Sequence, residues 1–245
     1  MPPRPVYLAS DVHFGAAPRE REAAFIEWLE RTPALASRLV INGDLFDFWF
    51  EYRRGIPAGY ERVLAALKDA VDAGVPVTVM GGNHDWWGGR YLREEIGVEF
   101  LQDPVVRVYA GLTTFLAHGD GLGRGDLRYR ALRLLLRGGL TRAAFGLLGP
   151  ALGGWVARRV SNTRDRWGEP TRDDGARAAV LEAWARAKLL ASPELDLVVL
   201  GHTHIPTLVE MGPGRWYLNA GDWVTHASYA VLADGAAPEL LTWEG

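Results

Sequence analysis

Residues 75–85 run Val75-Pro76-Val77-Thr78-Val79-Met80-Gly81-Gly82-Asn83-His84-Asp85. Val75–Met80 is β-branched and apolar, bounded by glycines and too short for a helix, so it predicts a fully buried strand. The run stops at two glycines and then presents an amide, an imidazole and a carboxylate. Working upstream, Tyr60–Ala73 places Val63, Leu67, Ala70 and Val71 on one side of a helix, and Gly74 ends it. Before that, Leu39–Ile41 enters a short strand, Arg19–Glu30 carries Ala23, Ile26 and Leu29 at helical spacing, and Val6–Ser10 is another short apolar run. Strand, helix, strand, helix, strand in that order indicates a layered α/β fold.

Downstream, Val105–Tyr109 and Leu112–Ala117 flank Ala110-Gly111 like a hairpin. Leu195–Leu200, Thr207–Met211, Arg215–Leu218, Ser228–Ala233 and Glu239–Trp243 read as short strands, and Asp174–Ala191 as a helix with Val180, Leu181, Trp184 and Leu189 apolar. The segment 124–166 differs from both flanks, with ten arginines against Asp126 and Asp165. Its leucines and helical pattern predict an inserted cap on a single domain spanning 1–245. Arg130, Arg133 and Arg137 share one helical face there.

The bulk composition narrows the function classes. A chain of 245 residues, 48% apolar, can bury one substantial core. A net charge of −3 argues against a general nucleic-acid binder, so no stable nucleic-acid partner is expected. There is no cysteine, which removes disulfides, thiolate metal sites and thiol nucleophiles. Met1–Ser10 has no apolar stretch suited to a signal peptide. Gly138–Ala157 carries Arg142, Pro150 and six glycines, which argues against a membrane span. A soluble cytoplasmic protein is the expectation.

Five polar clusters each follow an apolar run. They are Asp11-Val12-His13, Gly43-Asp44, Gly82-Asn83-His84-Asp85, His118-Gly119-Asp120 and Gly201-His202-Thr203-His204. Five of the six histidines fall in them. Imidazoles, carboxylates and an amide oxygen suit divalent ions such as Mn²⁺, Fe²⁺ or Zn²⁺. Strand ends in an α/β sheet converge on one edge, so ligands distant in sequence can meet. Two ions about 3.5–4 Å apart can activate water and clamp phosphoryl oxygens. A lone strand-end His or Asp is ordinarily a satisfied polar residue; it is the set of five that points to a metal site. His226, outside the clusters, reads as a surface-loop histidine.

Taken in order, D-x-H, GD, GNHD, H-G and G-H-x-H resemble the calcineurin-like metallophosphoesterase superfamily over nearly the whole chain. The resemblance implies a four-layer αββα sandwich with an inserted helical cap, and two divalent ions, Mn²⁺ first, with Fe²⁺, Zn²⁺ or Co²⁺ as alternatives. It also implies that Asp11, His13 and His204 bind one ion and that Asn83, His118 and His202 bind the other, with Asp44 bridging. His84, oriented by Asp85, would then sit at the scissile phosphate, or else only position the Asn83 loop.

Gly43-Asp44-Leu45-Phe46-Asp47-Phe48-Trp49 and His118-Gly119-Asp120-Gly121-Leu122 further resemble the UDP-2,3-diacylglucosamine pyrophosphatases of lipid A synthesis, which are peripheral membrane enzymes. That likeness implies a nucleotide-linked amphiphile cleaved to UMP and a lipid phosphate, with contact to the inner membrane face through the cap. Asp126, Tyr129 and Arg164 would face the nucleotide or sugar. The chain departs from the well-known members at His84, where they carry arginine. A broad phosphodiesterase or nuclease of the same superfamily, and a non-catalytic metal-binding scaffold, are the alternatives.

Overall fold

The computed structural model describes residues 3–52, 55–125, 127–141, 143–147, 149 and 172–245. In chain order the strands are β1 (Val6–Ala9), β2 (Arg38–Asn42), β3 (Val77–Met80), β4 (Glu99–Leu101), β5 (Val105–Tyr109) and β6 (Leu112–Leu116). They continue with β7 (Leu197–Leu200), β8 (Thr207–Gly212), β9 (Arg215–Asn219), β10 (Ser228–Leu232) and β11 (Glu239–Thr242). The helices are α1 (Arg19–Arg31), α2 (Glu61–Asp72), α3 (Leu127–Arg137) and α4 (Arg172–Ala191).

One sheet has the order β11-β10-β1-β2-β3-β4 and the other β5-β6-β7-β9-β8. In the first, β1 to β4 are parallel neighbours. In the second, β6, β7 and β9 are. Side chains alternate across each strand, and here both faces are covered. Val40 of β2 points between the sheets with Leu8, Leu116, Val199, Leu218 and Leu232. Its neighbours Leu39 and Ile41 point the other way, onto Phe25, Trp28 and Leu29 of α1 and Val63 and Leu67 of α2. In β7, Val198 and Leu200 meet Leu181, Ala185 and Leu189 of α4, while Leu197 and Val199 face the first sheet. Burial on both faces explains why these strands are nearly unbroken apolar runs. Each fully buried leucine contributes about 1.5–3 kcal/mol to the layering.

The layers are therefore helix, sheet, sheet, helix, the αββα order implied by the motif resemblance. Two features were not anticipated. β4 is three residues long, and Leu92–Ile96 makes one wide helical turn closed by Gly97 at φ +88°. Arg93, Glu94 and Glu95 in that turn mask any apolar period. Glu51 holds its start, accepting the N–H of Gly89 at 2.8 Å and of Tyr91 at 2.9 Å.

Within 124–166 the described part comprises α3 and helical residues at 139–141 and 143–147. The amphipathic helix expected there is present, but the arginine face is turned inward. Arg130 Nε donates to Gly121 O at 2.7 Å, and Arg133 Nη1 reaches Asp120 O and Oδ2 at 2.7 and 3.1 Å. Arg137 Nη2 bonds Asp120 Oδ2 at 3.1 Å, and its guanidinium lies 4.6 Å from the Trp86 ring centroid. The leucines face out instead: Leu134 is 74% exposed and Leu140 86%. Among the described residues no helix is long and apolar enough to cross a membrane.

Candidate metal centre

Every cluster singled out above lies just past the C-terminal end of a parallel strand. Asp11 and His13 follow β1, Asp44 follows β2, and Asn83, His84 and Asp85 follow β3; His118 follows β6, and His202 and His204 follow β7. The two sheets are tied together at this rim, where Asn42 Nδ2 donates to Ala117 O at 3.0 Å, and within the second sheet Asn219 Nδ2 donates to Gly201 O at 3.0 Å.

The backbone is bent to aim these groups. Among the described residues, seven non-glycines have positive φ, and five of them are Asp11, His13, Asp44, His202 and His204. Such conformations each cost about 1–3 kcal/mol, and they persist where surrounding structure overdetermines them. Glycines allow the closest approaches. A Cβ on Gly82 would overlap Asp44 Oδ1, and one on Gly43 would overlap the His118 ring.

Two donor groups result. In the first, His13 Nε2 and His204 Nε2 lie 3.2 Å apart, with Asp11 Oδ1 at 3.5 Å from His204 Nε2. In the second, Asn83 Oδ1 is 3.2 Å from His118 Nε2 and 2.8 Å from His202 Nδ1. Asp44 lies between them, its Oδ2 3.8 Å from His13 Nε2 and 3.3 Å from His118 Nε2. Its Oδ1 accepts the His84 N–H at 2.9 Å.

Outer contacts set the orientation of these groups. His118 Nδ1 donates to Asn42 O at 3.0 Å, which directs Nε2 inward. His204 Nδ1 meets Asp222 Oδ2 at 3.1 Å. Asp11 accepts the His202 N–H at 3.1 Å.

Burial works against a charged His118, but Asp44, by charge and hydrogen bond, and then Asp11 hold its pKa well above the ordinary value. Burial pushes Asp44 up, yet His118 and His84 keep it well below the usual carboxylate range. Burial, with His118 second, lowers His202 to about 3, so that ring is neutral at physiological pH. The centre thus favours positive charge among buried carboxylates and holds imidazoles ready as neutral donors. That is the environment a divalent cation requires, and the hard-to-borderline donor set fits one.

Other expected residues fall differently. The His84 side chain is 21% exposed, and its ring packs edge-on against His13 with centroids 4.8 Å apart. Its Nδ1 donates to Asp47 O at 2.6 Å. Asp85 was expected to orient that ring. Its carboxylate instead accepts the N–H groups of Gly82 at 2.7 Å, Leu45 at 2.7 Å and Phe46 at 3.3 Å. Those unpaired loop donors make the stronger claim on a buried carboxylate, so Asp85 braces the β2 and β3 loops against each other. Asp126, Arg164 and the Tyr129 side chain lie outside the described residues. Asp47 and Asp222 were missed as site residues. Asp47 stands four residues past Gly43 and Asp222 directly after Gly221; neither spacing carries a sequence signal, and only the fold brings each aspartate to a histidine. His226, read as a surface histidine, is bonded to Asp222 at 3.1 Å.

Residues 4–206 match the family described as Calcineurin-like phosphoesterase. The UDP-2,3-diacylglucosamine hydrolase of Porphyromonas gingivalis is 30% identical, covering 98% of this chain and 97% of that protein. The protein of the same name from Xanthomonas axonopodis pv. citri is 33% identical over 95% and 97% of the two chains. Vacuolar protein sorting 29 from Cryptosporidium parvum superposes with a TM-score of 0.48 and 15% identity, covering 98% of this chain and 97% of its own.

Proposed function

From its membership of the calcineurin-like phosphoesterase family, a family of metal-dependent enzymes, we propose that this chain is a two-metal hydrolase of the pyrophosphate in UDP-2,3-diacylglucosamine or a related nucleotide-linked lipid. Water adds to phosphorus, one P–O bond breaks, and UMP and a lipid phosphate leave. The carrying observation is Asp44, with one carboxylate oxygen directed at His13 and His118 from opposite donor groups. The names of the relatives, matched over nearly their full lengths, support the substrate class.

Asp11, His13 and His204 would hold one ion and Asn83, His118 and His202 the other, with Asp44 shared and Mn²⁺ the preferred metal. The ions, when bound, supply Lewis-acid polarisation of the phosphoryl oxygens and a water of lowered pKa. The residues do the remaining work. Asp44 fixes the spacing of the two donor groups, and its second oxygen anchors the His84 backbone. His84 commits Nδ1 to Asp47 O and keeps its other nitrogen for the substrate. Protonated, that nitrogen donates to the departing oxygen. In place of the arginine of the resembled enzymes, an imidazole can transfer a proton as well as pair with an oxyanion.

We assign 124–166 as the cap that receives the acyl chains, with Asp126, Tyr129 and Arg164 toward the nucleotide or sugar. The outward leucines of α3 support an apolar ligand or a lipid surface at that place. The test is UMP release from UDP-2,3-diacylglucosamine with Mn²⁺, beside the unacylated UDP-sugar. Faster turnover of the acylated compound is expected. Equal rates would replace this reading with a broad phosphodiesterase. No hydrolysis of either compound, nor of bis-p-nitrophenyl phosphate, with any divalent metal would refute it.

A further inference from the structure

Asp222 stands in the turn after β9 and is 2% exposed. The turn is pinned from several sides. Ser10 Oγ donates to Gly221 O at 2.8 Å, Ser228 Oγ to Ala220 O at 2.6 Å, and Gly221 N to Asn219 Oδ1 at 3.0 Å. Trp223 is fully buried, with ring centroids 5.0 Å from Phe25 and 5.5 Å from Trp28, and its N–H bonds Asp11 O at 3.2 Å. The carboxylate is thus placed by a rigid frame joined directly to the loop that carries Asp11.

Its two oxygens have separate tasks. Oδ1 accepts the N–H groups of Thr225 and His226, each at 2.9 Å, and lies 3.1 Å from His226 Nδ1. Oδ2 faces His204 Nδ1 at 3.1 Å. A carboxylate can only accept, so His204 must carry its proton on Nδ1. The lone pair then lies on Nε2, the atom that meets His13 and Asp11. The His204 ring is about one-third exposed, so water alone would let either tautomer form.

We infer that Asp222 is the positioning residue of the Asp11–His13–His204 metal site, setting the His204 tautomer and itself steadied by His226. This rests on the metal centre proposed above. No sequence motif marks Asp222 or His226. A carboxylate behind a ligating imidazole also raises its basicity, and loss of such a partner typically costs about 10–100-fold in metal affinity.

Asp222→Asn separates the two tasks. The amide oxygen can still accept the Thr225 and His226 N–H groups and keep the turn. The NH₂ placed toward His204 would donate to Nδ1 and move the ring proton to Nε2, where it blocks metal binding. The experiment is calorimetric Mn²⁺ binding to the full chain, with the His204 tautomer read by long-range ¹H–¹⁵N correlation in the metal-free protein at a pH high enough for the ring to be neutral. Wild type is expected to bind two ions with a proton on Nδ1. Asp222→Asn should show the proton on Nε2 and about 10–100-fold weaker binding at one site only, with thermal stability retained. His226→Ala should weaken the same site by less. Unchanged tautomer and affinities would overturn the inference, as would equal weakening at both sites with a lowered melting temperature, which marks a purely structural role. Failure of wild type to bind Mn²⁺ would sink the metal centre itself, and the inference with it.

Discussion

Asp44 Oδ2 lies 3.3 Å from His118 Nε2. One residue follows β2 of the first sheet and the other follows β6 of the second, so this pair joins the sheets at the rim where the chemistry is proposed. The imidazole is fixed from behind by Asn42 O, and the carboxylate by the His84 N–H. Neither can swing away to compensate for loss of the other.

Asp44→Ala should therefore lower kcat/KM by roughly a thousand-fold, because a shared ligand contributes several kcal/mol to stabilising the transition state. Steady-state hydrolysis of bis-p-nitrophenyl phosphate with Mn²⁺ measures this. Activity within tenfold of wild type would contradict a bridging role.

Gly82→Ala should disable the centre without removing any ligand. The added methyl would overlap Asp44 Oδ1, and Asp44 would have to leave its position. Bound metal after desalting, measured by plasma mass spectrometry, should fall well below wild type while the circular dichroism spectrum is retained. Wild-type metal content would show that the close approach is not needed.

Metal loading should release protons. Asp44 and Asp11 raise the His118 pKa against the effect of burial, and Asp222 and Asp11 do the same for His204. Both rings are held in the protonated form up to a higher pH than a free histidine, near 6.5, yet both must be neutral to ligate. Affinity should then rise with pH and go on rising past about 6.5, where it would level off for a free histidine. Calorimetry in two buffers of different ionisation enthalpy reads the released protons directly, and buffer-independent heats would contradict the assignment.

The Asp120 carboxylate secures the cap helix. Burial would raise its pKa, but His118, Arg137 and Arg133 hold it below the ordinary carboxylate value. A depressed folded-state pKa adds stability that is present above about pH 4 and lost as pH falls through the folded value. Asp120→Asn should cost about 1.5–3 kcal/mol at pH 7, the range for hydrogen bonds to charged groups, and much less in acid. Urea unfolding at pH 7 and pH 3 tests the difference, and hydrogen exchange should speed up in α3. An equal loss at both pH values would contradict an electrostatic clamp.

Leu134→Glu with Leu140→Glu should slow turnover of the acylated substrate several-fold and leave the unacylated UDP-sugar unaffected, since both side chains face outward. Equal slowing of both compounds would show that the cap acts by packing alone.

Much of this molecule was legible in one dimension. Val77–Met80 and Leu197–Leu200 are buried on both faces, so their apolar runs announce strands whatever the sheet order. The candidate ligands Asp11, His13, Asp44, Asn83, His118, His202 and His204 stand immediately after such runs, and strand-end placement is enough to group them. β4 escaped because Glu99 and Leu101 sit on an edge and show no period. The arginine face of α3 was visible as a period, but its direction was not. A helix with leucines on one side and arginines on the other can dock either way until a buried aspartate is placed opposite it.

The sequence by itself determined most of the strand and helix order and the candidate ligand set with its chemistry, because these depend on local pattern and residue type. Only the tertiary structure decided which carboxylate serves which imidazole. Asp85 sits next to His84 in the chain yet braces loop backbone, whereas Asp222, eighteen residues from His204, holds its ring. Hydrogen bonds form between groups that are close in space and properly aimed. At a rim where parallel strands from two sheets end, separation along the chain says little about either.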